Sequence, residues 1–104
     1  MKVAEAIGET LSGHGIETFF GLVGSGNFAV VNALRAAGAG FYSSRHECAA
    51  VMMADGYARA SGKVGVASVH QGPGFTNTLT ALTEAAKSRT PLVLLAADTP
   101  PGTL

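Results

Sequence analysis

Apolar residues at Val3, Ala6, Ile7 and Leu11 recur at the spacing of one helical face, and the pattern stops at Gly13 and Gly15, which predicts a first helix. "ETFFGLVG" then reads as a short buried strand, Thr18 to Leu22, ending in glycines. "NFAVVNALRAAGAG" predicts a second helix with Asn27 as its cap and Gly38 as its stop. After a brief strand at Phe41 and Tyr42, a third helix is expected from about His46 to Ala60, closed by Gly62. "VGVASV", Val64 to Val69, is the clearest strand of the chain. The turn "QGPGF" leads from it into a fourth helix, about Phe75 to Lys87, with Pro73 suited to a first turn. "PLVLLAA", Pro91 to Ala97, reads as a further buried strand.

Helices and strands therefore alternate, and the strands are continuous apolar runs rather than alternating ones. That combination predicts an α/β fold in which a parallel sheet carries helices on both faces. The tail "DTPPGTL" reads as a loop with nothing to close the fold, so the expectation is one partial domain, 1–104, within a larger protein. Composition points the same way: of 104 residues 47% are hydrophobic and only 13% charged, about half the roughly 25% charge of an average soluble domain. A domain this small has much surface to cover, so part of its exterior is expected to lie against more of the same polypeptide or a second subunit.

Seven basic and seven acidic side chains cancel without any run of like charge, which leaves no footprint for nucleic acid or an anionic membrane. No apolar stretch approaches the roughly 20 residues of a membrane span, and "MKVAEAIGETL" lacks the apolar core of a signal peptide. The single cysteine, Cys48, can form no internal disulfide and has no partners at ligand spacing for a metal, which fits a reducing, cytoplasmic setting.

Chemistry is expected where ligands collect in open parallel sheets, at the carboxyl ends of the strands. Three clusters fall there: "GLVGSGN", "SSRHE" and "VHQGPGFTN". In the first, Gly24, Gly26 and Ala29 match a variant of the dinucleotide-binding fingerprint, and Glu47 follows about 20 residues on, where an acid would bind a ribose. Glu47, however, comes after a polar turn and opens a helix instead of ending the second strand. The plain alternative is that the glycines only permit a tight strand-to-helix turn.

Glu47 also closes the capping-box pattern Ser44-Arg45-His46-Glu47, in which serine and glutamate exchange bonds with backbone amides. Yet "CAAVMMA" behind it is apolar on all sides, so the helix and its first turn are expected to be buried. Burial of a carboxylate favours its protonated form, which would let this acid share a proton with a ligand. His70 ends the third strand just before Gln71 and the Gly72-Pro73-Gly74 turn, a position for a functional histidine as much as for one that bonds locally. Gly72 and Gly74 permit close backbone approach to a flat ligand. Cys48, Met52 and Met53 read as core, and Tyr57, Arg59 and Lys63 as the outer part of the third helix.

"FFGLVGSGN", then "RHECAAVMMADGYARASGKVGVASV", then "GPGFTNTLTALTEAAKSRTPLVLLAAD" resembles the N-terminal pyrimidine-binding domain of thiamine diphosphate-dependent enzymes. The superfamily is that of acetolactate synthase, benzoylformate decarboxylase and pyruvate decarboxylase, and the likeness runs from about Val3 to Pro100. It implies that Glu47 hydrogen-bonds N1′ of the cofactor's aminopyrimidine and so helps the ring remove the proton at thiazolium C2. It implies further that Gly72, Pro73, Gly74 and Asn77 lie at the pyrimidine end of thiamine diphosphate. On the same grounds Ser25, His70 and Gln71 fall on the side of a 2-oxo acid substrate, with His70 placed where benzoylformate decarboxylases transfer protons. The "GPGFTN" wording is closer to the synthases and carboligating lyases, so decarboxylation and carboligation both stay open.

In the family, the diphosphate and its magnesium are bound by a separate C-terminal domain with a "GDG" segment, and no such segment occurs in these 104 residues. The resemblance thus implies half a site, completed by the diphosphate-binding domain of a second subunit in a homodimer or homotetramer, and an isolated chain without turnover. A separately encoded half-enzyme is the rarer form of the same reading. The alternatives from other classes are a dinucleotide-binding domain of an oxidoreductase and a non-catalytic assembly domain.

Overall fold

A computed structural model describes residues 1–102. Helix α1 (Val3–Gly13) is followed by β1 (Thr18–Gly21), α2 (Phe28–Ala36), β2 (Gly40–Ser43), α3 (Glu47–Ser61) and β3 (Gly65–Val69). Then come a single turn of helix, α4 (Pro73–Thr76), α5 (Leu79–Lys87) and β4 (Leu92–Ala96). The four strands form one sheet in the order β2-β1-β3-β4, every pairing parallel.

Two hydrophobic clusters show why helices cover both faces. Neighbouring strand residues point to opposite sides, and Phe19 and Val66, with Phe41, Val93 and Leu95 beside them, pack against Val31 and Leu34 of α2. Phe20 and Ala67, with Leu92 and Leu94, instead meet Val51 and Ala54 of α3 and Ala81 of α5. The central strand β3 is buried along its whole length, as expected for a run apolar on both faces. Strand β4 is not: Leu92 to Leu95 are half-buried and Ala96 is exposed, because β4 lies at the edge of the four-stranded sheet.

The predicted fourth helix is broken in two. Thr78 is fully buried and its hydroxyl donates to the Phe75 carbonyl at 2.6 Å, closing the short turn α4 before Thr78 itself starts α5. Side chains of this kind compete with the helical backbone for its own carbonyls. Helix α3 is buried on one side only, through Ala50, Val51, Ala54, Asp55 and Ala58, and Met52 is 57% exposed rather than in the core. Cys48 and Met53 do pack against the α3–α5 cluster.

Tyr57 and Arg59 are also more engaged than an outer helical face requires. The Tyr57 ring sits edge-on to Phe20 at 5.8 Å, and Arg59 grips the buried Asp55 through Nε at 2.7 Å and Nη2 at 3.0 Å while reaching Glu84 of α5. Thr90 adds a third bond to Asp55, so this carboxylate ties α3 to the turn before β4. Lys63 is exposed and pairs with Glu17. Of the tail, Asp98 to Gly102 contain neither helix nor strand, and Thr103 and Leu104 lie outside the described residues.

Candidate functional site

From β1 the chain passes to β2 on one side of the sheet and later to β3 on the other, so the connections after β1 and β3 diverge at the β1/β3 boundary. A crevice opens at such a point, at the carboxyl ends of the strands. The Gly26 amide crosses it and donates to His70 Nδ1 at 2.9 Å. Since that nitrogen accepts an N–H, the neutral imidazole carries its own proton on Nε2.

The glycines of the first cluster serve this contact. A Cβ on Gly24 would stand 2.9 Å from both Cβ and Cγ of His70, and one on Gly26 only 1.8 Å from Gln71 Oε1 and 2.5 Å from His70 Nδ1. The space that a dinucleotide fingerprint keeps open for a pyrophosphate is thus filled by the His70 and Gln71 side chains. Strand β2 ends at Ser43, four residues before Glu47, so no acid ends it where a ribose would be bound.

Glu47 is the first residue of α3, and the capping box expected from its spacing does not form. His46 takes the cap position, with Nδ1 accepting the Cys48 amide at 3.0 Å, and the Ser44 hydroxyl donates to the His46 carbonyl at 2.7 Å. Freed from capping, Glu47 Oε1 accepts from Asn77 Nδ2 at 3.1 Å, across 30 residues of sequence. The other oxygen, Oε2, lies 3.6 Å from where a Gly74 Cβ would be, and His70 Cβ lies 3.3 Å from the same point. Glu47, Cys48 and Ala49 are half-buried instead of buried, since α3 begins where the strands end, and burial is complete only from Ala50.

The structure therefore brings Glu47, His70, Gly74 and Asn77 into one group. Gly72 supports it with φ of 67°, which starts α4 by a turn that favours glycine. Pro73 occupies the first position of α4 and is exposed, as is Ser25, which sits in the β1–α2 loop and makes no hydrogen bond with a described residue. Gln71 Oε1 is buried without a hydrogen-bond partner among the described residues.

Two residues of the site escaped the sequence reading. Asn27 occupies the cap position of α2, but its side chain makes no capping bond; Oδ1 accepts from the Gly24 amide at 2.7 Å, and Nδ2 donates to the Leu22 carbonyl at 3.2 Å and Ser68 Oγ at 3.0 Å. Ser68 is the other. A lone hydroxyl inside "VGVASV" was the available signal, because a polar atom in a buried strand requires a partner.

A family model described as "Thiamine pyrophosphate enzyme, N-terminal TPP binding domain" matches residues 1–103. The chain belongs to this family. A sulfoacetaldehyde acetyltransferase of Roseovarius nubinhibens is 41% identical over 91% of the chain, and 2-hydroxyacyl-CoA lyase 2 of Danio rerio 43% identical over 88%. A Pseudomonas aeruginosa protein named "Probable 2-ketoarginine decarboxylase" is 38% identical over 91%. The chain spans 16%, 15% and 17% of the length of these relatives. Thiamine pyrophosphate, or diphosphate, is accordingly the group against which the site must be tested.

The residues fit it. Glu47 Oε2 accepts no hydrogen bond from a described residue, and a glycine without side chain stands beside it. That arrangement suits a carboxylate meeting a flat ring at a protonated nitrogen. Among the described residues no helix is long and apolar enough to cross a membrane.

Proposed function

We propose that this chain is the pyrimidine-binding half of a thiamine diphosphate-dependent enzyme that decarboxylates or carboligates 2-oxo acids. The observation that carries the reading is the Glu47 carboxylate, held through Oε1 by Asn77 with Oε2 left over Gly74. Glu47 would hold a proton at N1′ of the aminopyrimidine, and the backbone from Gly72 to Gly74 would take the ring's edge. Asn77 orients the carboxylate, so that an exposed loop side chain becomes part of the binding geometry. The cofactor, when bound, supplies a nucleophilic carbon and an electron sink for the broken carbon–carbon bond.

His70, with Nδ1 already occupied by Gly26, offers Nε2 as the nitrogen that gives or takes a proton at the substrate. Ser25 and Gln71 flank it on the substrate side. Magnesium and the diphosphate would be held by the diphosphate-binding domain of a second subunit, in a homodimer or homotetramer of the cytoplasm. The names of the relatives include an acetyltransferase, a lyase and a decarboxylase, which supports the class of chemistry and leaves the acceptor open between them.

The test is ligand protection and turnover in the full-length protein. Thiamine diphosphate with magnesium should raise the unfolding midpoint and support carbon dioxide release or carboligation from a panel of 2-oxo acids, and Glu47→Ala should abolish turnover. Protection by NAD with no response to thiamine diphosphate would overturn the proposal.

A further inference from the structure

We infer that Asn27 and Ser68 are positioning residues for His70, holding the Gly26 amide on Nδ1 so that Nε2 is the nitrogen available for proton transfer. The inference rests on the reading of His70 as the proton-transfer group and adds the device that sets its tautomer. Asn27 is 2% exposed and Ser68 fully buried, and between them they use every polar atom of the Asn27 side chain on the β1–α2 loop and β3.

The connection to His70 is short. Ser68 faces Gly21 in the β1–β3 register and accepts the Leu22 amide on its carbonyl at 3.2 Å. It lies two residues before His70, so the Asn27–Ser68 bond fixes the loop against the strand that carries the histidine. The same loop then presents the Gly26 amide to Nδ1 and the bare face of Gly24 to the imidazole.

A residue in the cap position ordinarily spends its side chain on the first free amides of its helix. Asn27 spends it on the loop instead, and α2 begins without a side-chain cap. That choice makes sense if loop position matters more than the helix end.

The experiment uses the full-length protein with Ser68→Ala, a small change in a packed strand, beside Asn27→Ala. Amide hydrogen exchange at Gly26 should rise about tenfold or more in both, since each loses a bond that closes the loop. Turnover should fall by about tenfold or more, part of the roughly 10²–10⁴-fold that an acid–base group supplies, with KM nearly unchanged. In a His70→Ala background, adding Ser68→Ala should cost nothing further, because the lost group is the one being positioned.

If Asn27→Ala fails to fold, Ser68→Ala decides alone. Unchanged Gly26 exchange, or a turnover loss that multiplies with that of His70→Ala, would overturn the inference and leave the role of His70 standing. A His70→Ala variant with intact turnover would instead overturn the proton-transfer role of His70, and this inference with it, even where Gly26 exchange responds.

Discussion

Gly65→Ala is the substitution whose cost follows most directly from the packing. Gly65 opens β3, and a methyl group there would stand 2.2 Å from the carbonyl oxygen and 2.9 Å from the carbonyl carbon of Ala54, in the middle of α3. Ordinary contact begins near 3.4 Å, so helix and strand would have to part by about 1 Å, which weakens the dispersion attraction between α3 and the sheet beneath it. Overpacking costs about 1–3 kcal/mol where side chains can yield. Here the obstacle is helical backbone, and we expect the upper end, about 3 kcal/mol.

The same displacement moves Glu47 relative to Gly74 and Asn77, and a misplacement of about 1 Å can cost on the order of 10²-fold in rate. Urea denaturation followed by circular dichroism, with turnover per folded molecule, measures both effects. Gly56→Ala is the matched control. It lies within α3 with nothing near its would-be Cβ, so the same methyl should stabilise by about 0.5–1 kcal/mol. A Gly65→Ala protein as stable as wild type would show that α3 is not seated on β3 as described.

Gly26→Ala should act on the site more than on the fold: Gln71 can swing aside, but His70 cannot keep Nδ1 on the amide, so turnover should fall while the unfolding free energy stays within about 1 kcal/mol of wild type. His70→Ala should slow turnover by about 10²–10⁴-fold with cofactor affinity nearly unchanged; steady-state kinetics beside cofactor titration would detect the alternative, lost stability with turnover preserved. Bonds from the Arg59 guanidinium, and after it the Thr90 hydroxyl, hold the Asp55 carboxyl below its usual range. The stabilisation is therefore full above the unfolded value of about 3.9 and is lost as pH falls through the lower folded value. Asp55→Asn should be less stable than wild type at neutral pH, with the gap closing below about pH 4; a gap constant from pH 7 to 2 would refute the assignment.

The fold was legible because strand and helix signals agreed: the glycine stops, the continuous apolar strands and the Pro73 start name the elements found, apart from the break at Thr78 that divides the expected fourth helix into α4 and α5. What a linear pattern does not carry is position within the sheet. "PLVLLAA" is as apolar as "VGVASV", yet one lies at an edge and the other at the centre. The candidate site was legible in its residue types, and its partners were not. Ser44 and His46 both offer cap chemistry to α3, and only the three-dimensional path of the chain selects His46 and releases Glu47 to Asn77. Asn27 likewise reads as a cap until Ser68, 41 residues away, is brought beside it.

The proposed function gives Glu47 one task, to manage a proton on the cofactor. Its most direct test is hydrogen–deuterium exchange at thiazolium C2 of thiamine diphosphate bound to the full-length protein, wild type against Glu47→Gln. Glutamine can still accept from Asn77, and it cannot exchange a proton as a carboxylate does. A folded variant is expected that keeps most of its cofactor affinity and exchanges C2 slower by about 10²-fold or more, with turnover lost in parallel. Unchanged C2 exchange with unchanged turnover would contradict it and reduce Glu47 to a structural partner of Asn77.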